Sequence, residues 1–202
     1  MKKLLTVLLS LGAFMSTVYA QTTQGNLVFG GSVGYTSSNE ENALEDEKES
    51  EFTFSPSVGY FVVDNLAVGI NLQLTSNKYD NGVGGDDKTT TFVVGPFVRY
   101  YKFTSNDKFA FYGQAGFDVG SRKYEPDGGN EVKSSAFDFY ISPGFSYFFN
   151  EHWAIDLQLQ GIRYESYDPN TDGDADDDKD SQFSIGVDSF NPSLGIRFYL
   201  GN

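Results

Sequence analysis

The chain has 202 residues, which is the length of one domain rather than several. Its formal net charge is −14 at pH 7, which disfavours nucleic acid as a partner, and the absence of cysteine excludes disulfides. After the first twenty residues, no stretch is apolar over the length that a transmembrane helix needs. If the chain lies in a membrane, it must therefore cross it as a β-barrel.

The first twenty residues, Met1–Ala20, have the composition of a secretory signal peptide. Lys2 and Lys3 form a basic start, an apolar core follows over Leu4–Phe14, and Val18-Tyr19-Ala20 places small residues at the cleavage positions. A short buried helix is the alternative interpretation. We expect removal of residues 1–20 on export, a net charge of −16 for the remaining chain, and one domain over residues 21–202.

Eight segments that alternate between apolar and polar residues follow in chain order. The clearest is Leu66–Thr75, where every second residue is a large aliphatic one, and a period of two indicates a strand with two different faces. The eight predicted strands are approximately Asn26–Tyr35, Phe52–Val62, Leu66–Thr75, Thr89–Tyr101, Lys108–Arg122, Ser134–Phe149, Trp153–Tyr164 and a closing strand from Phe183 to Leu200.

The connections between these strands alternate between long and short. Short turns are predicted at Val63–Asn65, Thr104–Asp107 and Asn150–His152, and the long loops are Thr36–Glu51, Ser76–Lys88, Lys123–Lys133 and Glu165–Ser181. Long loops at one end and short turns at the other are typical of outer-membrane barrels. The interior of an eight-stranded barrel is only just filled by side chains, so the many large apolar residues must point outward, where lipid can cover them.

The closing strand contains a polar-x-Gly-x-x-apolar-x-apolar pattern at Ser193, Gly195, Phe198 and Leu200. That pattern resembles the terminal strand by which the assembly machinery recognises outer-membrane barrels. Together with strand number, chain length and signal peptide, it makes the chain similar to the small OmpA/OmpX-like outer-membrane β-barrel family. Members mostly end on an aromatic residue, whereas this chain continues to Gly201-Asn202.

The resemblance implies an all-β fold, an eight-stranded antiparallel up-and-down transmembrane β-barrel. It implies a monomer in the outer membrane of a Gram-negative bacterium, with both termini in the periplasm and the long loops outside. The expected partners are outer-membrane lipid, lipopolysaccharide and the barrel assembly machinery, and no cofactor is expected.

Two local irregularities are predicted within the strands. Prolines recur at one position of the strand pattern, at Pro56, Pro96, Pro143 and Pro192, and proline lacks the N–H that a sheet ladder needs. Either bulges or another shared local geometry would accommodate them. A further bulge near Asp188–Ser189 would reconcile the opposite parities of the two halves of the closing strand.

Polar residues on the inward faces define a candidate lumen cluster. Its predicted members are Asn71, Arg99, Gln114, Asp118, Asp138, Asp156 and Arg197. They form either a polar conduit or a plug in which Arg99 and Arg197 pair with Asp118, Asp138 or Asp156. The plug is the favoured interpretation, because unpaired charges in so narrow a space are costly. Aromatic side chains predicted to face inward would narrow the lumen further: Phe97, Tyr101, Tyr112 and Tyr140.

The sequence contains one histidine, His152, and the topology places it in a short turn at the periplasmic end. A serine–histidine hydrolase would need it at the opposite end, and nothing in the sequence positions two carboxylates around a substrate. We therefore predict that the protein is not an enzyme.

The last loop has oxygen-bearing side chains at alternate positions with a glycine at the sixth, as in an EF-hand calcium loop. The predicted ligands are Asp168, Asn170, Asp172, Asp174 and Asp176, but Lys179 stands where a bidentate glutamate is required. A solvated acidic loop is the favoured interpretation, and weak calcium binding is the alternative.

The first loop is also acidic. Over Asn39–Glu51 the only basic residue is Lys48, so the loop is either a hydrated surface, one that shares divalent cations with lipopolysaccharide phosphates, or one that faces a cationic partner. We therefore expect a structural or surface-interaction role carried by four acidic extracellular loops. A narrow porin-like channel is the first alternative, and a soluble periplasmic ligand-binding barrel is the second.

Overall fold

The computed structural model describes residues 21–41, 46–80, 82, 85–169, 180–185 and 193–201. The regular structure of these residues is β-strand, in one sheet. This part of the chain contains no helix of the length and apolarity needed to cross a membrane. The predicted signal peptide lies outside the described residues.

Ten strands are present in the described residues. They are β1 (Leu27–Glu41), β2 (Asp46–Val63), β3 (Leu66–Asp80), β4 (Asp86–Phe103), β5 (Phe109–Glu125), β6 (Val132–Phe148), β7 (Trp153–Gln158), β8 (Ile162–Asp168), β9 (Asp180–Ile185) and β10 (Ser193–Leu200). All pairings between neighbouring strands are antiparallel.

The sheet closes on itself. The order around the ring is β1-β2-β3-β4-β5-β6-β7-β10, and β10 returns to β1 with Leu27 opposite Leu200. Strand β8 continues the course of β7 along β6, and β9 pairs with β8. The seventh and eighth strands of the barrel are therefore each built from two pieces. This confirms the prediction of a closed eight-stranded antiparallel barrel.

The two ends of the barrel differ. One end, here called the turn end, carries the short turns together with residues 21–26 and Gly201. The other, here called the hairpin end, carries long paired hairpins. Strand β1 runs to Glu41 and β2 begins at Asp46, so most of the predicted loop Thr36–Glu51 is in fact strand. The predicted boundary was wrong because both faces of the hairpin meet solvent there, which removes the apolar–polar contrast.

The predicted strand Trp153–Tyr164 is interrupted. Gly144 of β6 pairs with Gln158, and Ile141 of β6 pairs with Ile162. The segment from Gln158 to Ile162 is longer than the stretch of β6 that it faces, so it contains one extra residue. This is a β-bulge, and it reverses the parity of the outward-facing residues. The parity change is visible in the sequence, but the strand prediction missed it.

The bulge depends on a glycine and a backbone hydrogen bond. A Cβ atom at Gly161 would lie 2.1 Å from the carbonyl oxygen of Ile141, so the backbones approach too closely for any side chain. The backbone N–H of Leu159 donates to the carbonyl oxygen of Pro143 at 2.9 Å. Both contacts fix the bulge opposite a proline.

The recurring prolines share a local geometry. Pro56 lies opposite Gly31 of β1, whereas its pairing with β3 is interrupted. Pro96 lies opposite Ile70 of β3, and its pairing with β5 is interrupted. Pro143 keeps its pairing with β5 and faces the bulge. Each proline therefore loses the ladder on one side only, as expected for a residue without an N–H. The fourth proline, and the bulge predicted beside it, lie outside the described residues.

The outer surface of the barrel is apolar. On β3 the outward residues from Val68 to Leu74 are exposed aliphatic ones, and the other strands repeat this with further large apolar side chains, among them Phe54, Val98, Phe117, Phe139, Leu194 and Ile196. Exposure of so many large apolar groups to water would be strongly unfavourable, at about 25 cal/mol per Å² of apolar surface. The distribution contradicts a soluble ligand-binding barrel, which needs its large apolar residues inside.

Aromatic side chains close the lumen at the turn end. The buried cluster there consists of Val28, Phe61, Ala67, Tyr101, Ala110, Tyr112, Phe148, Ala154 and Tyr199. Residues 21–26 lie against this cluster: Thr22 Oγ1 donates to Asn65 Oδ1 at 2.6 Å, and the N–H of Gly25 donates to the carbonyl of Phe61 at 2.9 Å. The lumen is therefore filled on this side.

Candidate functional site

Two arginines and one aspartate form a buried ion cluster in the lumen. Arg99 of β4, Asp156 of β7 and Arg197 of β10 stand at inward positions of their strands. The Asp156 Oδ2 atom accepts hydrogen bonds from Arg99 Nη1 and from Arg197 Nε. Only 1% of Arg99 and 3% of Asp156 is exposed to solvent. Both charges are therefore removed from water, and each one compensates the other. We call these three residues the ion cluster.

Neutral side chains satisfy further groups of the ion cluster, but Arg99 Nη2 is buried without a hydrogen-bond partner among the described residues. Ser146 Oγ donates to Asp156 Oδ1 at 2.6 Å, and Arg99 Nε donates to Gln114 Oε1 at 2.7 Å. Gln114 Nε2 then donates to Tyr140 Oη at 2.8 Å. Asn71 Nδ2 donates to the same oxygen, at 3.0 Å. The network thereby ties together side chains from opposite walls of the barrel.

The ion cluster rests on the aromatic floor. The Arg99 guanidinium lies 3.9 Å from the centroid of the Tyr112 ring, in cation–π contact. Arg99 Nη1 also donates to Tyr101 Oη at 3.3 Å, and the hydroxyl oxygens of Tyr101 and Tyr199 are 3.2 Å apart. Charged and aromatic layers therefore form one continuous plug in the turn-end half of the lumen.

A second charged group lies nearer the hairpin end. Asp138 Oδ2 accepts hydrogen bonds from Arg163 Nε and Nη2 at 2.9 and 2.5 Å. Asp118 stands directly opposite Asp138 in the β5–β6 ladder and lies over Gly95, where a Cβ atom would be 1.7 Å from its Oδ1. A side chain at Gly95 would also collide with the backbone carbonyl oxygen of Phe117, so the Asp118 carboxylate or the backbone would have to shift.

Between these two groups the lumen holds a cavity of about 410 Å³. Its lining includes Asp156, Arg197 and Gln114 on the side of the ion cluster, and Asp118 and Arg163 toward the hairpin end. The lumen is thus filled in its turn-end half and partly open above it.

All seven residues predicted for the lumen lie inside the barrel. Arg99, Gln114, Asp138, Asp156 and Arg197 are buried, and Asn71 and Asp118 are half-buried. Of the three candidate partners for the arginines, Asp156 binds both. Arg163 was missed, although its place between the outward residues Ile162 and Tyr164 would have put it inside.

The residues of the predicted assembly signal lie in β10. Ser193 begins the strand, Gly195 lies opposite Asp156, and Leu200 lies opposite Leu27 of β1. The Phe198 ring packs against Trp153 with the centroids 4.7 Å apart.

His152 lies in the turn that precedes β7. Its ring stacks against Phe198, with the centroids 6.0 Å apart, and its carbonyl accepts a hydrogen bond from the N–H of Tyr199. The side chain therefore stands at the turn end, in the short turn where the sequence predicted it, and the structure places it on the outer side of β10.

The predicted calcium loop is mostly outside the described residues. Asp168 ends β8, whereas Asn170, Asp172, Asp174 and Asp176 are not among them. Within the described ranges, no group of three or more acidic, histidine or cysteine residues could hold a metal ion.

At the hairpin end, Asp87 joins two hairpins. Tyr124 Oη donates to Asp87 Oδ2 at 2.7 Å, and the N–H of Asp127 donates to Asp87 Oδ1 at 2.9 Å. Hydrogen bonds to the charged form lower the pKa of Asp87 below its usual value, chiefly through Tyr124. The same bond raises the pKa of Tyr124.

Fold and lumen together define a transmembrane β-barrel with an apolar outer surface and a charged, partly filled interior. The sequence profile of the family described as "Outer membrane protein beta-barrel domain" matches residues 6–189. The chain therefore belongs to this outer-membrane family. No curated protein matches the chain.

Several solved structures are similar to the chain in fold. Neisserial surface protein A is 16% identical, with 87% of this chain and 97% of that chain covered and a TM-score of 0.47. OprG from Pseudomonas aeruginosa is 13% identical, with 91% and 100% covered and a TM-score of 0.42. Ail, the attachment invasion locus protein of Yersinia pestis, is 19% identical, with 88% and 100% covered and a TM-score of 0.41.

Proposed function

We propose that this outer-membrane barrel is a non-catalytic structural or surface-interaction protein with a closed lumen. The observation that carries the proposal is the ion cluster on its aromatic floor, where Arg99, Tyr101 and Tyr199 keep almost no exposure. Solutes would have to displace buried charges and packed rings to pass. Recognition then falls to the acidic hairpins, which a rigid scaffold holds at the surface.

The proposal includes an orientation with the turn end in the periplasm and the hairpin end outside the cell. Short turns at one end and long connections at the other support it, because outer-membrane barrels carry short periplasmic turns and longer extracellular loops. An epitope inserted between Gly128 and Gly129, in the exposed β5–β6 connection, tests it. Antibody should label intact cells, and labelling only after permeabilisation would overturn the orientation.

Planar-bilayer conductance of the chain from residue 21 tests the closed lumen. We expect no steady channels from the folded protein, because the turn-end half of the lumen is filled. Folding is verified in the same sample by the faster migration of an unheated barrel on a denaturing gel. Reproducible channels whose conductance changes in Arg99→Gln or Arg197→Gln would overturn the proposal.

A narrow channel is the second candidate. The cavity of about 410 Å³ favours it, because the lumen is open between the ion cluster and Asp118. Ions could pass through the lumen only if the plug moved. Steady channels in the wild-type protein would therefore favour the narrow-channel function over the closed lumen.

The remaining expected ligands and partners stay predictions. They are weak calcium binding at Asp168–Asp176, recognition of β10 by the barrel assembly machinery, lipopolysaccharide contact and a monomeric state. Calcium titration of the folded barrel, with Asp172→Asn and Asp174→Asn as comparison, tests the first. Unchanged binding in these variants would contradict a site in this loop.

A further inference from the structure

Five neighbouring strands carry the same order of side chains on the outer surface beyond the apolar band. On β3 the last apolar residue, Leu74, is followed on the same face by Ser76 and Lys78. Strand β4 repeats this in the opposite chain direction with Phe92, Thr90 and Lys88. The other three strands give Phe52, Ser50 and Lys48 on β2, Val119, Ser121 and Lys123 on β5, and Phe137, Ser135 and Lys133 on β6.

The strand register joins these lysines into one row, here called the lysine tier (Lys48, Lys78, Lys88, Lys123 and Lys133). Lys78 lies directly opposite Lys88, and Lys123 lies directly opposite Lys133. Directly opposite side chains have Cβ atoms about 4.5–5.5 Å apart, and diagonal ones about 7–8 Å. The tier therefore forms a row of ammonium groups around five of the eight strands, in which Lys48 lies opposite Asp80 and Lys88 lies opposite Glu125.

The lysine tier lies at the height of the lipid headgroups. Each lysine follows the last outward apolar residue by four positions. With a strand rise of about 3.3 Å per residue and a tilt of about 40°, this places the tier about 10 Å beyond the apolar boundary. A lysine stem is long enough to bring its ammonium group back toward that boundary.

This concentration of positive charge stands out against the composition of the chain, whose net charge is −14. Among the described residues, the lysines outside the tier are Lys102 and Lys108, both near the turn end. Like charges directly opposite each other in a sheet are destabilising, so the tier needs anions close by.

Acidic residues on the outer face supply part of that negative charge, and along their strands they lie beyond the lysines, on the side away from the apolar band. Lys123 contacts Glu125 at 3.1 Å and Glu131 at 2.8 Å, and Lys133 contacts Glu131 at 3.7 Å. Each of these glutamates lies one outward position farther from the membrane than its lysine. Toward the membrane, the lysines are flanked by the hydroxyl groups of serine and threonine. The membrane side therefore offers ammonium and hydroxyl donors, which suit a phosphate group.

We propose that the lysine tier binds the phosphate groups of the glycolipid in the outer leaflet, so that β2–β6 carry an ordered layer of lipid headgroups. This rests on the proposed orientation, which puts the hairpin end in that leaflet. The positive charge of the lysine tier and its position at the height of the lipid headgroups together indicate a phosphate-bearing lipid as the ligand. Anionic headgroups attract basic side chains near the surface, and salt weakens this attraction.

The test uses the barrel from residue 21 folded in detergent and titrated with bisphosphorylated lipid A, with native mass spectrometry as the readout. The variant Lys78→Gln/Lys88→Gln removes two facing members of the tier. We expect its affinity for lipid A to fall roughly tenfold or more. The matched control, Lys102→Gln/Lys108→Gln, removes the same charge at the turn end and should bind as the wild type does.

Two results would overturn the proposal. One is an equal loss of affinity in both double variants, which would indicate an effect of net charge alone. The other is undiminished binding of dephosphorylated lipid A, which would place recognition on the sugars or acyl chains. All four lysines are exposed, so both variants should fold, and gel migration verifies this. The epitope experiment tests the orientation of the barrel independently of the lipid A titration. A failure of the proposed function can therefore be distinguished from a failure of lipid binding by the lysine tier.

Discussion

At the scale of single residues, Asp156 has the most demanding role in the lumen. Its single negative charge faces two buried arginines, so the ion cluster keeps a net positive charge. The Tyr112 ring and the Gln114 side-chain oxygen stabilise the Arg99 guanidinium. A buried ion pair contributes little net stability compared with apolar residues of the same volume. Loss of one partner is far more costly, because a charge is then left uncompensated away from water.

Replacement of Asp156 by Asn should therefore lower the free energy of unfolding by about 3–5 kcal/mol. The measurement is urea unfolding of the barrel folded in lipid vesicles. Asp107→Asn, in an exposed turn at the same end of the barrel, is the control and should leave the transition unchanged. Equal stability of the Asp156 variant and the wild type would contradict the structural role of the ion cluster.

At the scale of elements, the long hairpins are ordered by contacts between neighbours as well as by their own ladders. Asp87, at the start of β4, accepts hydrogen bonds from Tyr124 at the end of β5 and from the backbone of Asp127. The β3–β4 and β5–β6 hairpins are thereby joined through one carboxylate. The contact is electrostatic and lies at the surface, so it depends on pH.

Because the pKa of Asp87 is lowered in the folded barrel, its stabilising effect is present above the ordinary aspartate pKa and is lost as the pH falls through the folded value. Tyr124→Phe removes the larger cause and should move the pKa of Asp87 back toward the ordinary range. Carboxyl NMR titration of Asp87 measures this. An unchanged titration in Tyr124→Phe would show that the tyrosine hydroxyl does not act on the carboxylate.

At the scale of the whole molecule, stability depends on closure of the barrel. Strand β10 is the one that closes it, since it pairs with β1 over Leu27–Gly31 and with β7 over Trp153–Gln158. Without it, two strand edges would be left unpaired within the apolar band, where lipid offers no hydrogen-bond partners.

Truncation after Arg197 removes residues 198–202, among them Phe198, the buried Tyr199 and Leu200. It should abolish the folded, fast-migrating form on a denaturing gel after refolding into lipid vesicles. Truncation after Leu200 removes only residues 201–202 and should leave that form intact. Purified protein refolds without the assembly machinery. The comparison therefore tests closure of the barrel by β10 separately from recognition of β10 by that machinery. Efficient folding of the shorter chain would contradict the role of β10 in closing the sheet.

The sequence by itself determined the strand pattern within the apolar band except at the Gly161 bulge, the closed eight-stranded barrel and the lumen location of seven polar residues. Within the band, lipid-facing residues are large and apolar, whereas residues that face the narrow interior are mostly small or polar. This contrast is large enough to be recognised in the sequence. Beyond the band the contrast disappears, so the hairpin extensions of β1 and β2 could not be recognised.

Only the tertiary structure decided which charges meet. Alternation places Arg99, Asp118, Asp138, Asp156 and Arg197 in one lumen, but the register of non-consecutive strands decides that both arginines contact Asp156. The bulge at Gly161 turns Arg163 inward, where it contacts Asp138. The same register aligns the outward lysines of five strands into one tier. Pairing across a barrel depends on distances between strands far apart in the chain, and periodicity within a strand carries no information about those distances.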